Sequence, residues 1–244
     1  MASELPSVGP NFSSGRSVGR NFSSGKRRLT ATCGGLWLAF ASLAAAQTDV
    51  SGTVTVQTNS PAAGAAVVYA QPLDRPAAAA PGTFTLAQRQ KTFQPAILGV
   101  PAGSTVDFPN QDAIFHNVFS LSSPSPFDLG LYRAGASKRR VFREPAVYRV
   151  FCNIHPQMSA VIVVSPTPHV TSTDRDGRYT LALPPGRYRL TATTGRSAPA
   201  TRDLVVGSAA ITTGALLIDE RALAEAPHTN KFGKPYPKEA YREK

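Results

Sequence analysis

At 244 residues, with 42% hydrophobic and 17% charged residues, the chain has the composition of folded protein and can hold one or two domains with a buried core. That balance excludes a disordered chain. The formal net charge is +11, and with the five Lys/Arg and one Glu of residues 1–46 set aside, 21 basic and 14 acidic residues remain, a net of +7. Such a charge suits a solvated basic surface or the steering of an acidic partner at low salt, and no nucleic-acid partner is expected.

Ser7–Arg16 and Ser17–Lys26 are near-identical ten-residue copies. Two copies this polar bury no shared face, so they read as an extension of the basic segment at Lys26, Arg27 and Arg28. Those three residues precede an apolar run from Leu36 to Ala46 that ends in Ala44, Ala45 and Ala46. This is the order of a secretory signal cut after Ala46. The run falls short of the roughly 20 residues that span a bilayer, so an exported, periplasmic protein without a stable membrane span is expected. Cleavage removes Cys33 and leaves Cys152 as a lone exported thiol, which asks for an explanation.

Ser51–Val56 and Ala65–Ala70 flank the turn-rich Thr58–Gly64, a pattern that predicts a β-hairpin. Pro72–Pro81 is dense in Ala and Pro and reads as linker. Short strands are predicted at Thr83–Gln88, Thr92–Val100, Thr105–Phe108, Phe115–Ser120, Val147–Phe151 and Ala160–Val164, with turn signals about every ten residues, as in a Greek-key sandwich. A second hairpin-like pattern lies over Thr171–Ala192, where Asp176-Gly177 and Pro185-Gly186 mark turns. Ala209–Asp219 adds a final strand, and 221–244 is a polar tail.

Within Tyr148–Met158, a thiolate, an imidazole and a thioether stand three residues apart as Cys152, His155 and Met158. Soft donors of this kind select copper, and two His, one Cys and a weak axial Met make the blue-copper set. The second histidine is His116, in Phe108–Phe119. A short loop between two strands gathers the first three donors, while a neighbouring strand holds His116 opposite. Taken singly, Cys152 could be a small buried hydrophobe, His116 a turn cap and Met158 a core filler. Together these require three coincidences at ligand spacing. Phe119, Phe151, Ile154 and Pro156 are expected to dry the site.

Val106-x-Phe108-x-Asn110, His116-Asn117-Val118 and Cys152-x-x-His155-x-x-Met158 resemble the cupredoxins over about eighty residues. The resemblance implies one type 1 copper ion held by His116, Cys152, His155 and Met158 in an amicyanin-like short loop. It also implies that Asn117 ties the ligand segments together near the thiolate, and that the ring edge of His155 is the electron exit. On either side, Gly52–Tyr69 and Thr173–Leu190 resemble the halves of a carboxypeptidase regulatory-like β-sandwich, through the hairpin, Asp174-x-Asp176-Gly177-x-Tyr179-x-Leu181 and Leu183-Pro184-Pro185-Gly186-x-Tyr188-x-Leu190.

The fold expected is therefore all-β, a Greek-key cupredoxin sandwich inserted into a second, smaller carboxypeptidase regulatory-like (transthyretin-like) sandwich. Its boundaries are 1–46 extension and signal, 47–73 with 166–220 outer sandwich, 74–81 linker, 82–165 cupredoxin and 221–244 tail. That arrangement is similar to periplasmic proteins labelled methylamine-utilization or plastocyanin-like. The function implied is an exported carrier of single electrons between redox proteins; the alternative is copper storage or delivery, which usually uses open, Met-rich sites. An enzyme is not expected, since only His169 and His228 remain to build a further copper centre. Arg133, Lys138, Arg139, Arg140 and Arg143 are either a docking patch for an acidic redox partner or a solvated edge.

Overall fold

A computed structural model describes residues 46–59, 65–223 and 228–237. The tandem repeat and, apart from Ala46, the signal segment lie outside the described residues. Among the described residues, seventeen strands account for the regular structure: β1 (Thr48–Gln57), β2 (Val67–Pro72), β3 (Thr83–Thr85), β4 (Ala87–Arg89), β5 (Thr92–Gln94), β6 (Ile97–Pro101), β7 (Ser104–Pro109), β8 (His116–Ser120), β9 (Phe127–Tyr132), β10 (Ser137–Phe142), β11 (Ala146–Phe151), β12 (Ser159–Ser165), β13 (Val170–Ser172), β14 (Arg178–Leu183), β15 (Gly186–Thr193), β16 (Ala200–Val206) and β17 (Ile211–Asp219). No helix among the described residues is long and apolar enough to cross a membrane. All described strands lie in one compact unit.

Between residues 83 and 165 a five-stranded sheet, β6-β12-β11-β8-β9, a three-stranded sheet, β10-β7-β3, and the β4-β5 hairpin share one buried cluster. β7 shows the simplest cause: Ser104, Val106 and Phe108 alternate with partly exposed residues, so one face is sealed. Rings fill the space beneath. Phe142 meets Tyr148 edge-on with centroids 5.0 Å apart, and Phe127 meets Phe142 at 5.8 Å, geometries that rings prefer over face-to-face stacking. All five residues of β8 are buried, unlike those of an ordinary surface strand, so the side chains it carries have little room to move.

Two strands here escape the sequence pattern. β9 and β10 lie where only turns and charge are legible, because β10 places Lys138 and Arg140, with stems that cover apolar surface, at its inward positions. Thr83–Gln88 is expected as one strand; it is instead broken at the buried Leu86, which leaves β3 to pair with β7 and β4 with β5.

Residues 48–72 and 170–219 form two further sheets, β14-β1-β17 and β13-β2-β15-β16, around Val50, Val68, Leu181, Tyr188, Leu190 and Ile218. The predicted β1–β2 hairpin is not formed. β1 pairs with β14 and, in parallel, with β17, whereas β2 pairs with β13 and β15. Val50 of β1 and Val68 of β2 nonetheless face the same cluster, so burial of both is achieved by crossing between sheets rather than by pairing. β16, unanticipated, pairs along β15 from Gly186↔Val206 to Ala192↔Ala200.

A third, small cluster of Val67, Ile97 and Val163 joins β2 to β6 and β12. β6 approaches closely because Gly99 has no side chain: a Cβ there would stand 2.7 Å from Val67 and 2.8 Å from Val170.

Candidate metal centre

β11 and β12 pair up to Phe151↔Ser159, so Cys152–Met158 is the loop that joins them. Two backbone bonds close it, from the Cys152 amide to the Met158 carbonyl at 3.2 Å and from the Met158 amide to the His155 carbonyl at 2.9 Å. β8 lies on the other side of β11, paired at Phe119↔Phe151, which brings its first residue, His116, to the loop.

There three donors converge. Cys152 Sγ lies 3.8 Å from His116 Nδ1 and 3.6 Å from His155 Nδ1, and the two nitrogens are 3.1 Å apart. Among the described residues this is a group of His and Cys donors able to hold one metal ion, with all ligand atoms within 4.8 Å of one another. Ligands about 2.0–2.3 Å from an ion, set about 120° apart around it, stand roughly 3.5–4 Å from each other. The two sulfur–nitrogen separations fall in that range, and the nitrogen–nitrogen separation is shorter, at 3.1 Å. His116 and Cys152 are fully buried, while His155 is half-buried. Met158 is buried below the loop in the aromatic core, held by the two backbone bonds that link it to Cys152 and His155.

Asp112 fixes which nitrogen of His116 is offered. Its Oδ2 lies 2.8 Å from His116 Nε2, and a carboxylate only accepts, so Nε2 carries the proton and Nδ1 presents a lone pair toward Cys152. The carboxylate is held in turn by the amides of Gln90 at 2.6 Å and Lys91 at 2.9 Å. Those amides point at it because Gln90 and Lys91 both adopt positive φ, 54° and 53°, in the tight β4–β5 turn. Burial would raise the Asp112 carboxyl, but the Lys91 amide, His116 and the Gln90 amide together hold it below its ordinary value. Asn110 shapes the β7–β8 turn that carries Asp112, donating to the Ile114 carbonyl at 2.7 Å and accepting from the Asp112 amide at 3.0 Å.

Asn117 links the two ligand segments. Its amide points at Cys152 Sγ at 3.5 Å, its Oδ1 accepts from the Asn153 amide at 3.3 Å, and its Nδ2 donates to Asp128 at 2.7 Å. Burial pushes the Cys152 thiol up, offset only in part by the amides of Asn117, Ile154 and His155. A thiol so placed ionises readily only with a cation beside it, which a bound metal provides.

Other expected residues fall differently. Phe119, Phe151 and Pro156 are buried around the loop, but Ile154, expected to dry the site, is 45% exposed because it occupies the outer bend of the loop. Of the basic group, Arg139 pairs with Asp107, Arg140 bonds Ser125 and lies over Phe127, and Lys138 donates to the Leu129 carbonyl. Sequence reasoning missed Asp112, although its place four residues before His116 is a usable signal. It also missed residues 228–237: His228 stacks on Phe151, and Lys231 and Tyr236 bond Asn153.

No protein-family profile matches the chain, and no curated protein matches it. Among solved structures, a purple cupredoxin from Nitrosopumilus maritimus aligns at 25% identity over 33% of this chain and 98% of that one, with a TM-score of 0.31. A copper-containing nitrite reductase from Thermus scotoductus aligns at 25% identity and TM-score 0.33, over 46% of this chain and only 28% of the enzyme. A reduced amicyanin variant aligns at 23% identity and TM-score 0.33, over 40% of this chain and 99% of that one. The architecture is all-β and largely antiparallel. At its loop end it carries a buried His-Cys-His cluster suited to a metal.

Proposed function

We propose that the protein is an exported blue-copper carrier of single electrons. The observation that carries this reading is the near-triangular convergence of His116 Nδ1, His155 Nδ1 and Cys152 Sγ, the donor set of a trigonal copper site. Met158, at the end of the same loop, would supply the thioether of that set. Bound copper would contribute one-electron redox chemistry. The chain's own residues do the rest: Asp112 orients His116, Asn117 directs an amide at the Cys152 sulfur, and the packed aromatic core resists rearrangement when the charge of the site changes.

His155 is the electron exit, since it is the one histidine of the set that reaches the surface. Ile154 and Phe115, 45% and 54% exposed, give the partner an apolar contact close in sequence to the ligands. A redox protein docks there, and any preference for an acidic one comes from overall charge, because three of the five basic residues near the ligand strand are engaged within the chain. Burial of two of the three donors favours retention over delivery, and the small number of histidines favours a carrier over an enzyme. We further assign residues 47–73 and 166–220 to a carboxypeptidase regulatory-like sandwich that hosts the cupredoxin at 82–165.

Titration of the mature protein with copper(II) tests the reading. An intense visible thiolate-to-copper band that is absent from Cys152→Ser is expected; a colourless wild type overturns it.

A further inference from the structure

Residues 228–237 form a small structured turn of their own. Thr229 and Pro235 are bridged, Asn230 Oδ1 accepts from the amides of Phe232 at 2.9 Å and Lys234 at 3.1 Å, and the rings of His228 and Tyr236 meet edge-on at 5.3 Å. This turn lies on the ligand loop. The His228 ring lies between two carbonyls, with Nε2 2.5 Å from Pro156 O and Nδ1 2.9 Å from Thr229 O, and it stacks on Phe151 with centroids 4.0 Å apart and planes 20° from parallel. The Lys231 amide donates to Asn153 Oδ1 at 3.0 Å, and the Tyr236 hydroxyl donates to Asn153 O at 3.0 Å. Lys231 Nζ also reaches Asp128 at 2.8 Å.

These contacts fall on residues that flank the donors: Phe151 and Asn153 bracket Cys152, and Pro156 follows His155. They also join the bonds already described. Asp128 binds both Lys231 and Asn117, and Asn153 binds both the turn and Asn117, whose amide faces the Cys152 sulfur. A connected path therefore runs from the C-terminal turn to the Cys152 sulfur through residues beside the donors.

We propose that residues 228–237 are a clasp that holds the ligand loop in its metal-ready shape, with His228, Lys231 and Tyr236 as positioning residues. The purpose rests on the copper reading above; the holding action does not. A hairpin loop closed by two backbone bonds is the part of a sandwich that opens most easily. Contacts from a distant stretch of chain suppress that opening, keep the donors convergent before the ion arrives, and slow its departure afterwards.

The test uses the full chain carrying His228→Ala with Tyr236→Phe, and Lys234→Ala as a control, since the Lys234 side chain is exposed. In metal-free protein, amide hydrogen exchange at Cys152 and Met158 is expected to quicken about tenfold or more in the double variant, with exchange in β15 and β17 unchanged. In copper-loaded protein, release to a chelator is expected to be about 10–100-fold faster, and the visible band to shift. Wild-type exchange and release in the double variant, or an equal effect of Lys234→Ala, overturns the clasp. If the wild type binds no copper while loop exchange still quickens in the double variant, the copper reading fails and the clasp stands.

Discussion

The buried cluster around Phe108 is built from six aromatic rings, Leu86, several Val and Ile, and the sulfurs of Cys152 and Met158, whereas that around Tyr188 holds two tyrosines among Val, Leu, Ile and Ala. Their buried polar groups differ as well. In the first region Asn110 and His116 both bond Asp112, and Asn117 joins the ligand segments; in the second, the buried Glu220 is held by Thr194 and Arg196, and Thr48, Thr191 and Thr193 lie along strands. Buried polar groups cost stability unless they are paired. In the first region these bonds orient the candidate metal donors, while in the second the bonds of Thr194 and Arg196 to Glu220 tie the end of β15 to the end of β17.

Truncation of a core side chain in each region separates the two roles most sharply. Phe108→Ala removes a fully buried ring beneath the β7–β8 turn and is expected to cost about 3–5 kcal/mol in urea denaturation, together with much of the copper affinity. Leu190→Ala, equally buried in the other core, is expected to cost about 2–5 kcal/mol and to leave copper affinity per folded molecule unchanged. If both variants weaken copper binding alike, the cores are one functional body and the contrast is wrong.

Next in size is the support behind His116. Asp112→Asn keeps the shape but loses the charge, and an amide can turn its NH2 toward Nε2, which removes the pressure for the proton to sit there. A drop in copper affinity of about 10–100-fold is expected in competition with a chelator. An unchanged affinity means that the tautomer of His116 is set by something other than Asp112.

Where the two regions meet, Gly99→Ala tests how tightly they are joined. Its Cβ would press on Val67 and Val170, and overpacking of this kind typically costs about 1–3 kcal/mol. A lower midpoint with an unchanged copper spectrum is expected. A spectral change would show that strain at this junction reaches the ligand loop.

Much of this was legible in the sequence because donors and strand alternation are local signals. Cys152, His155 and Met158 share one short loop, and β7, β14 and β15 alternate visibly. Sheet partners were not legible: the Pro- and Gly-rich stretch after β1 looks like a hairpin turn, and only the common core shows that it carries the chain to another sheet. β10 was hidden because its inward positions are Lys138 and Arg140. Gln90 and Lys91 gave no turn signal, since two adjacent positive φ values usually call for Asn or Gly. The C-terminal turn was hidden for a different reason. A polar tail is recognisable as ordered only once the surface it binds is known.

Acid titration sets the smallest expected effect. Burial would raise the Asp128 carboxyl, but Lys231, the Asn117 amide and the Gly130 backbone hold it below its ordinary value of 3.8. A carboxyl whose folded value is depressed adds stability that is fully present above the unfolded value and is lost as pH falls through the folded one. Wild-type stability should therefore fall more steeply below pH about 4 than that of Asp128→Asn, read as the urea midpoint against pH. Asp203, also lowered, through its pair with Arg189, is fully exposed on β16, where water screens the interaction. Asp203→Asn should thus follow the wild-type acid limb. If instead it flattens that limb as much as Asp128→Asn does, the carboxylate that joins Asn117 to Lys231 is no more tightly built into the fold than one on the open face of the other region.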